Sequence, residues 1–292
     1  MNIREIEVVI PPPKAHYVGD GFRVHNFIPG APNLDNQRMN PFILLDYNSK
    51  FYFPPSDKPR GVGVHPHRGF ETVTIAYHGR VAHHDSAGNS GVIQEGDVQW
   101  MTAASGILHK EFHEKNFSLS GGVFQMVQLW VNLPAIYKMS QPKYQGIVNE
   151  DINKFYLPVD SGVIEVIAGQ YKDVKGVAST FTPIELQNVK LNKGAKADFS
   201  FPSGYNTGLL VIEGEVKINE QETIASDHFV LFKNQGENFT VQAIENAVVL
   251  VLSGEPINEP IAFQGPFVMN TRSEITQAIE DFKSGKFGYL KE

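Results

Sequence analysis

The stretch GVGVHPHRGFETVTIAYHGRV, residues 61–81, places two histidines two positions apart inside a segment patterned as a β-strand. Along a strand, residues i and i+2 point to the same face, so His65 and His67 aim both imidazoles one way. Downstream, GILHKEFHE (residues 106–114) repeats the device with His109 and Glu111. Two such pairs from adjacent strands, meeting inside a barrel, make a cage of three imidazoles and one carboxylate. That donor set suits Fe(II), Mn(II), Ni(II) or Zn(II) and leaves positions open for a ligand. A lone HxH pair is more often an ordinary hydrogen-bonded or solvated pair than a metal site. The second same-face pair, following after a hairpin-length interval with no histidine cluster elsewhere, reverses that balance.

Both motifs lie in a chain that reads as β-structure. Short apolar or alternating runs recur between turn signals such as SAGNSG and EGD, first over residues 1–133 and again over residues 162–254. Residues 134–160 lose the alternation and gather prolines and polar residues, which reads as a domain connection. The segment LLVIEGEVKINEQETI in the second half echoes VTIAYHGRVAHHD in the first: an apolar strand, a glycine, a polar strand. A duplicated fold or an accidental match of hairpins would each produce this echo. SEITQAIEDFKSGKFG is the clearest helix, with Ser273 as cap, Ile275, Ala278, Ile279 and Phe282 on one face, and Gly285 after its end. We expect two antiparallel β-barrels or sandwiches and a C-terminal helix, divided as residues 1–140 and 141–292.

The 292 residues are enough for about two domains. A net charge of −7 with scattered basic residues gives no footprint for direct nucleic-acid binding. With no cysteine, any metal must be held by His, Asp, Glu or backbone oxygen. The first residues carry charges and prolines where a signal peptide needs an apolar core, and no run of about 18 apolar residues occurs. The expectation is a cytoplasmic protein with no membrane contact.

GVHPHRGFETVT followed by EGDVQWMTAASGILHKE resembles the cupin signature, and more narrowly the pirin family. VQLWVNLP, PFILLDY and GEPINEPIAFQGPFVMNTRSEITQAIEDF are similar to pirin strings as well, so the resemblance runs nearly end to end. It implies a bicupin with one Fe(II) in the N-terminal barrel, Mn, Ni, Zn or Co being the alternatives, and a second barrel without metal. The family's ligands fall on His65, His67, His109 and Glu111. Glu71 shares strand parity with His65 and His67 and stands where many cupins place their carboxylate, but the pirin pattern selects Glu111 and leaves Glu71 a structural residue or one that supports the ligands from behind.

The remaining candidates are weaker. His113, where many cupins carry Asn, reads as a pocket-edge or surface residue. His83 and Asp85 share a face and read as a solvated hairpin rather than a barrel mouth; His84 reads as exposed. Arg68 reads as a hydrogen-bonding staple. Phe70, Trp100, Met101, Phe124 and Met126 read as core, some able to line an apolar pocket of flavonoid size. His228 has no same-face partner and makes no site.

The resemblance implies a metal-dependent dioxygenase that cleaves a flavonol such as quercetin with O2 and releases carbon monoxide, Glu111 serving as ligand and base. As the alternative, it also implies a metal- or redox-gated regulator that binds a transcription factor or metabolic enzyme without turnover. A cupin isomerase or a storage-like cupin is a third and thinner reading.

Overall fold

The computed structural model describes residues 2–291, and its strands pair antiparallel in every sheet. Its chain forms two compact units. One gathers the chain up to Pro13, Arg38–Pro41 and Glu150–Pro256; the other gathers Lys14–Gln37, Phe42–Asn149 and the chain from Ile257 onward. A cut at 140/141 therefore does not describe the division. The strand Lys143–Ile147 pairs with Val98–Thr102 and stays with the first barrel, and the break falls at 149/150. The terminal helix likewise belongs to the unit that holds His65–His67, because its apolar face is covered by Leu108, Phe267, Met269 and Phe287.

Each unit repeats one plan. The unit with the histidine motifs has a seven-stranded sheet built around Phe70–His78 and Gly122–Asn132. Opposite it is a four-stranded sheet in the order Gly61–His67, Ile107–His113, Val81–Asp85, Ser90–Ile93. The other unit also has a seven-stranded and a four-stranded sheet. The sequence echo marks equivalent positions in the two. Phe70–His78 leaves the large sheet through Gly79 (φ 85°) and enters the small one as Val81–Asp85; Asn206–Glu213 does the same through Gly214 (φ 75°) into Val216–Ile218. A positive φ at each corner is what favours glycine there. Neither segment is a hairpin, since its two strands lie in different sheets.

Strand Phe70–His78 is buried on both faces over most of its length. Its alternation of polar and apolar residues thus separates a polar interior from a packed apolar layer, not core from water. Arg272–Lys283 is helical, and its cap is Thr271 rather than Ser273. Thr271 accepts from the Glu274 backbone N–H while the Glu274 carboxylate accepts from that of Thr271, a reciprocal pair that Ser273 cannot make from inside the first turn. Ile275 and Ala278 are buried, but Phe282 is partly exposed. A second helix, Lys115–Ser120, has no apolar periodicity to announce it; the Glu114 side chain caps it by accepting from the Asn116 and Phe117 N–H groups.

Candidate metal centre

The four-stranded sheet sets the cluster. His109 lies opposite His65 in the antiparallel register. His67 follows two residues along its strand and Glu111 two along the other. Ring centroids stand 4.6 Å apart for His65 and His67, 5.4 Å for His65 and His109, and 5.9 Å for His67 and His109. His109 Nε2 is 3.4 Å from Glu111 Oε1, and Glu111 Oε1 accepts from Thr74 Oγ1 at 3.3 Å.

Whether this donor set fits a metal is tested by its unsatisfied atoms. Both ring nitrogens of His109 and Nδ1 of His67 are buried without a hydrogen-bond partner. Each such group costs about 1–3 kcal/mol unless something binds it. Nδ1 of His65 is taken by the Gly63 carbonyl at 2.8 Å, which fixes that ring and leaves Nε2 available. Burial, with the neighbouring imidazoles, pushes His67 well below its ordinary pKa and lowers His65. Neutral imidazole is the ligand form. For Glu111, burial opposes ionisation, but the nearby His109, with His65 and His83 adding, holds the carboxyl below its ordinary pKa. Among the described residues, no three such groups already stand around one coordination point. The four side chains form a contiguous cluster whose donor chemistry, three imidazoles and a carboxylate, suits a divalent transition ion.

His65, His67 and Glu111 form part of the wall of a cavity of about 360 Å³. Leu44, Met126 and Trp130 are among its apolar lining, with Asp46, Asn48 and Gln128 among its polar residues. Trp130 stacks on Phe70 at 4.2 Å and meets His67 edge-on at 5.4 Å. Phe70 packs with Ile43 and Val268, and Met101 with Ala103 and Ile107. Phe124 and Met126 belong to a third apolar cluster, and Trp100 is fully buried.

Numerical parity misplaces Glu71. The chain bends at Gly69 (φ 89°), where a Cβ would lie 1.9 Å from the Val268 carbonyl oxygen, and the strand restarts at Phe70. Thr74, three residues on, faces Glu111, so Glu71 points to the opposite face. There it accepts from Thr102 Oγ1 at 2.7 Å, and burial pushes its pKa up to about 7. A folded-state pKa above the ordinary value near 4.5 means the folded protein holds this proton more tightly, so Glu71 costs stability as pH rises from about 4.5 through 7. Glu71→Gln should remove about 2–3 kcal/mol of that fall. Urea unfolding of both proteins at pH 5 and pH 8 checks it, and an equal loss in the two would refute the assignment.

Three histidines lie elsewhere than expected. His83 is buried, its ring 6.3 Å from His109 on the strand face of Glu111; Tyr144, a residue with no sequence signal, stacks on it at 5.3 Å and reaches Nε2 at 2.9 Å. Burial, with His109 beside it, pushes His83 down to about 4. His113 is buried among Phe22, Phe53, Phe117 and Phe124, with Nε2 against the Gly21 carbonyl. His84 stacks on Phe112 at 5.7 Å instead of standing free. Asp85 accepts from the Ala87 and Asn89 N–H groups and from the Asn89 amide, so it shapes a turn. His228 Nδ1 lies 2.9 Å from the Ser226 carbonyl oxygen.

The pirin family model matches residues 21–131, and that of the pirin C-terminal cupin domain matches residues 186–288. This chain belongs to the pirin family. The pirin fold, two cupin barrels with a C-terminal helix, is accordingly its fold. A Pseudomonas aeruginosa relative, named provisionally as quercetin 2,3-dioxygenase PA2418, is 46% identical over 93% of this chain and 94% of its own length. A crystal structure of quercetin 2,3-dioxygenase from Acinetobacter baumannii is 46% identical, with a TM-score of 0.92 over 99% of this chain and 100% of that one. The bacterial pirin YhhW from Escherichia coli, solved in complex with nickel(II), shares the fold at 18% identity and a TM-score of 0.66, over 86% of this chain and 99% of that one. No helix among the described residues is long and apolar enough to cross a membrane.

Proposed function

We propose that this pirin is a metal-dependent dioxygenase able to cleave a flavonol such as quercetin, with His65, His67, His109 and Glu111 holding one transition ion, Fe(II) first. The observation that carries the reading is the contiguity of three imidazoles and a carboxylate with a cavity of about 360 Å³, within the range of small-molecule sites. A divalent ion bound there supplies Lewis acidity that favours the ionised form of a ligating hydroxyl. Glu111 accepts the proton of the substrate 3-hydroxyl. The apolar walls hold the aromatic rings and exclude water. O2 enters as cosubstrate, and ring opening releases one carbon as CO. A cytoplasmic setting suits this reading, because reducing conditions there keep iron ferrous.

One observation favours a metal- or redox-gated binding role. Arg68, next to His67, donates to Asp281 Oδ2 at 2.8 Å and ties the terminal helix to the strand of the cluster. A charge change at the cluster thus has a physical route to an exposed element. Elemental analysis and a flavonol assay on one sample separate the two. Loss of flavonol absorbance in air with CO release, tracking metal content, supports the enzyme; tight flavonol binding with no oxygen uptake supports the regulator. His109→Ala should lose most of the metal, and full occupancy in His65→Ala and His109→Ala proteins would show the cluster misassigned.

A further inference from the structure

We infer that Asn48 is a specificity-determining residue of the cavity, reading a substrate edge that offers a donor and an acceptor side by side. The inference rests on the cavity being the substrate site. Asn48 lies on the strand Phe42–Phe53, opposite Met126, and two and four residues from Asp46 and Leu44; all four line the cavity. Only 1% of Asn48 is exposed, and both its Nδ2 and Oδ1 are buried without a hydrogen-bond partner.

That is a costly arrangement for a free protein, since an amide buried unpaired forfeits its bonds to water. The neighbouring polar groups are differently placed. Asp46 Oδ1 accepts from the Asn26 amide at 2.7 Å, and Gln128 Oε1 accepts from Thr74 at 2.9 Å. Asn48 therefore holds an uncommitted amide in a wall that is otherwise largely apolar. An amide presents one N–H donor beside one carbonyl acceptor, the complement of a vicinal diol on an aromatic ring or of a hydroxyl beside a carbonyl. A ligand spanning the cavity would then carry two polar ends, one hydroxyl at His65, His67 and Glu111 and a catechol-like edge at Asn48. A compound lacking that edge leaves the amide unpaired, so the cost of its burial goes uncompensated.

The test compares quercetin, which carries a catechol ring, with 3-hydroxyflavone, which has the same 3-hydroxyl and ketone but no other hydroxyl. Both are titrated by fluorescence under argon into the purified metal-containing protein, so that binding is read without turnover. The parent protein should prefer quercetin by roughly 10- to 100-fold, the usual worth of leaving a buried polar group unpaired. Asn48→Leu, close in size but apolar, should collapse this preference towards unity by weakening quercetin and sparing or tightening 3-hydroxyflavone. Asn48→Ala removes the same amide without its bulk and should collapse it too. A preference left intact in both variants, or absent in the parent, overturns the inference. Oxygen uptake on the same samples tests the dioxygenase separately: a collapsed preference with no uptake leaves Asn48 as the reader in a protein that binds without turnover. Uptake with an unmoved preference rejects Asn48 alone, and failure of the parent to bind either compound ends both readings.

Discussion

Glu111→Gln should lower flavonol turnover by roughly 10²–10⁴-fold, the usual worth of a positioned general base, while part of the metal is retained. The substitution keeps the size of the side chain and one oxygen able to ligate, but removes the charge and the proton acceptor. Glu111 is suited to the role because Oε1 lies within 3.4 Å of His109 Nε2 and because His109, despite the opposing cost of burial, helps hold the carboxyl ionised. Glu71→Gln should cost far less, since its carboxylate faces away from Thr74 and bonds Thr102. Steady-state oxygen uptake and metal content of the two variants decide the matter. Metal lost from Glu71→Gln, with turnover intact in Glu111→Gln, would restore the more common cupin ligand pattern. Absence of turnover in the parent itself would favour the metal-gated regulator.

Arg68→Met should destabilise the barrel by about 3 kcal/mol. The guanidinium is nearly inaccessible, donates to Asp281 and to the Ser105 carbonyl at 2.7 Å, and lies 4.7 Å over the Phe287 ring. Its loss leaves Asp281, held well below the usual carboxylate range by hydrogen bonds from Lys286, Arg68 and Gln277, with two donors instead of three. Breaking such a pair costs more than the pair contributes, because the stranded charge stays partly buried. Lys286 still reaches Asp281 at 2.7 Å, which limits the loss. Thermal unfolding measures it, and an unchanged midpoint would mean that the apolar face of the helix alone secures it. Since Arg68 adjoins His67, metal affinity should weaken in the same variant.

The legible parts of this protein rest on local geometry. Alternation along an unbroken strand places residues two apart on one face, so His65 with His67, and His109 with Glu111, could be paired from spacing alone. The helix was legible from its apolar period, although its cap was not, because Thr271 and Ser273 are both good capping residues and only the reciprocal bond to Glu274 separates them. The glycine corners at Gly79 and Gly214 left a visible echo because both turns need a positive φ.

What only the tertiary structure decided depends on where strands break and which layers cover them. The bend at Gly69 interrupts the parity that would have aligned Glu71 with His65 and His67, and nothing in the residue count records it. His83 has the spacing of a surface hairpin, and its burial follows from membership of the small sheet beside Tyr144, 61 residues away. Asn48 has no neighbour in sequence that marks it, and its unpaired amide matters only because packing sealed it into a cavity wall. The spacing of residues along the chain sets the direction of each side chain within its own strand; whether that direction ends in water, in a core or at a cluster of imidazoles is set by the sheets that close around it.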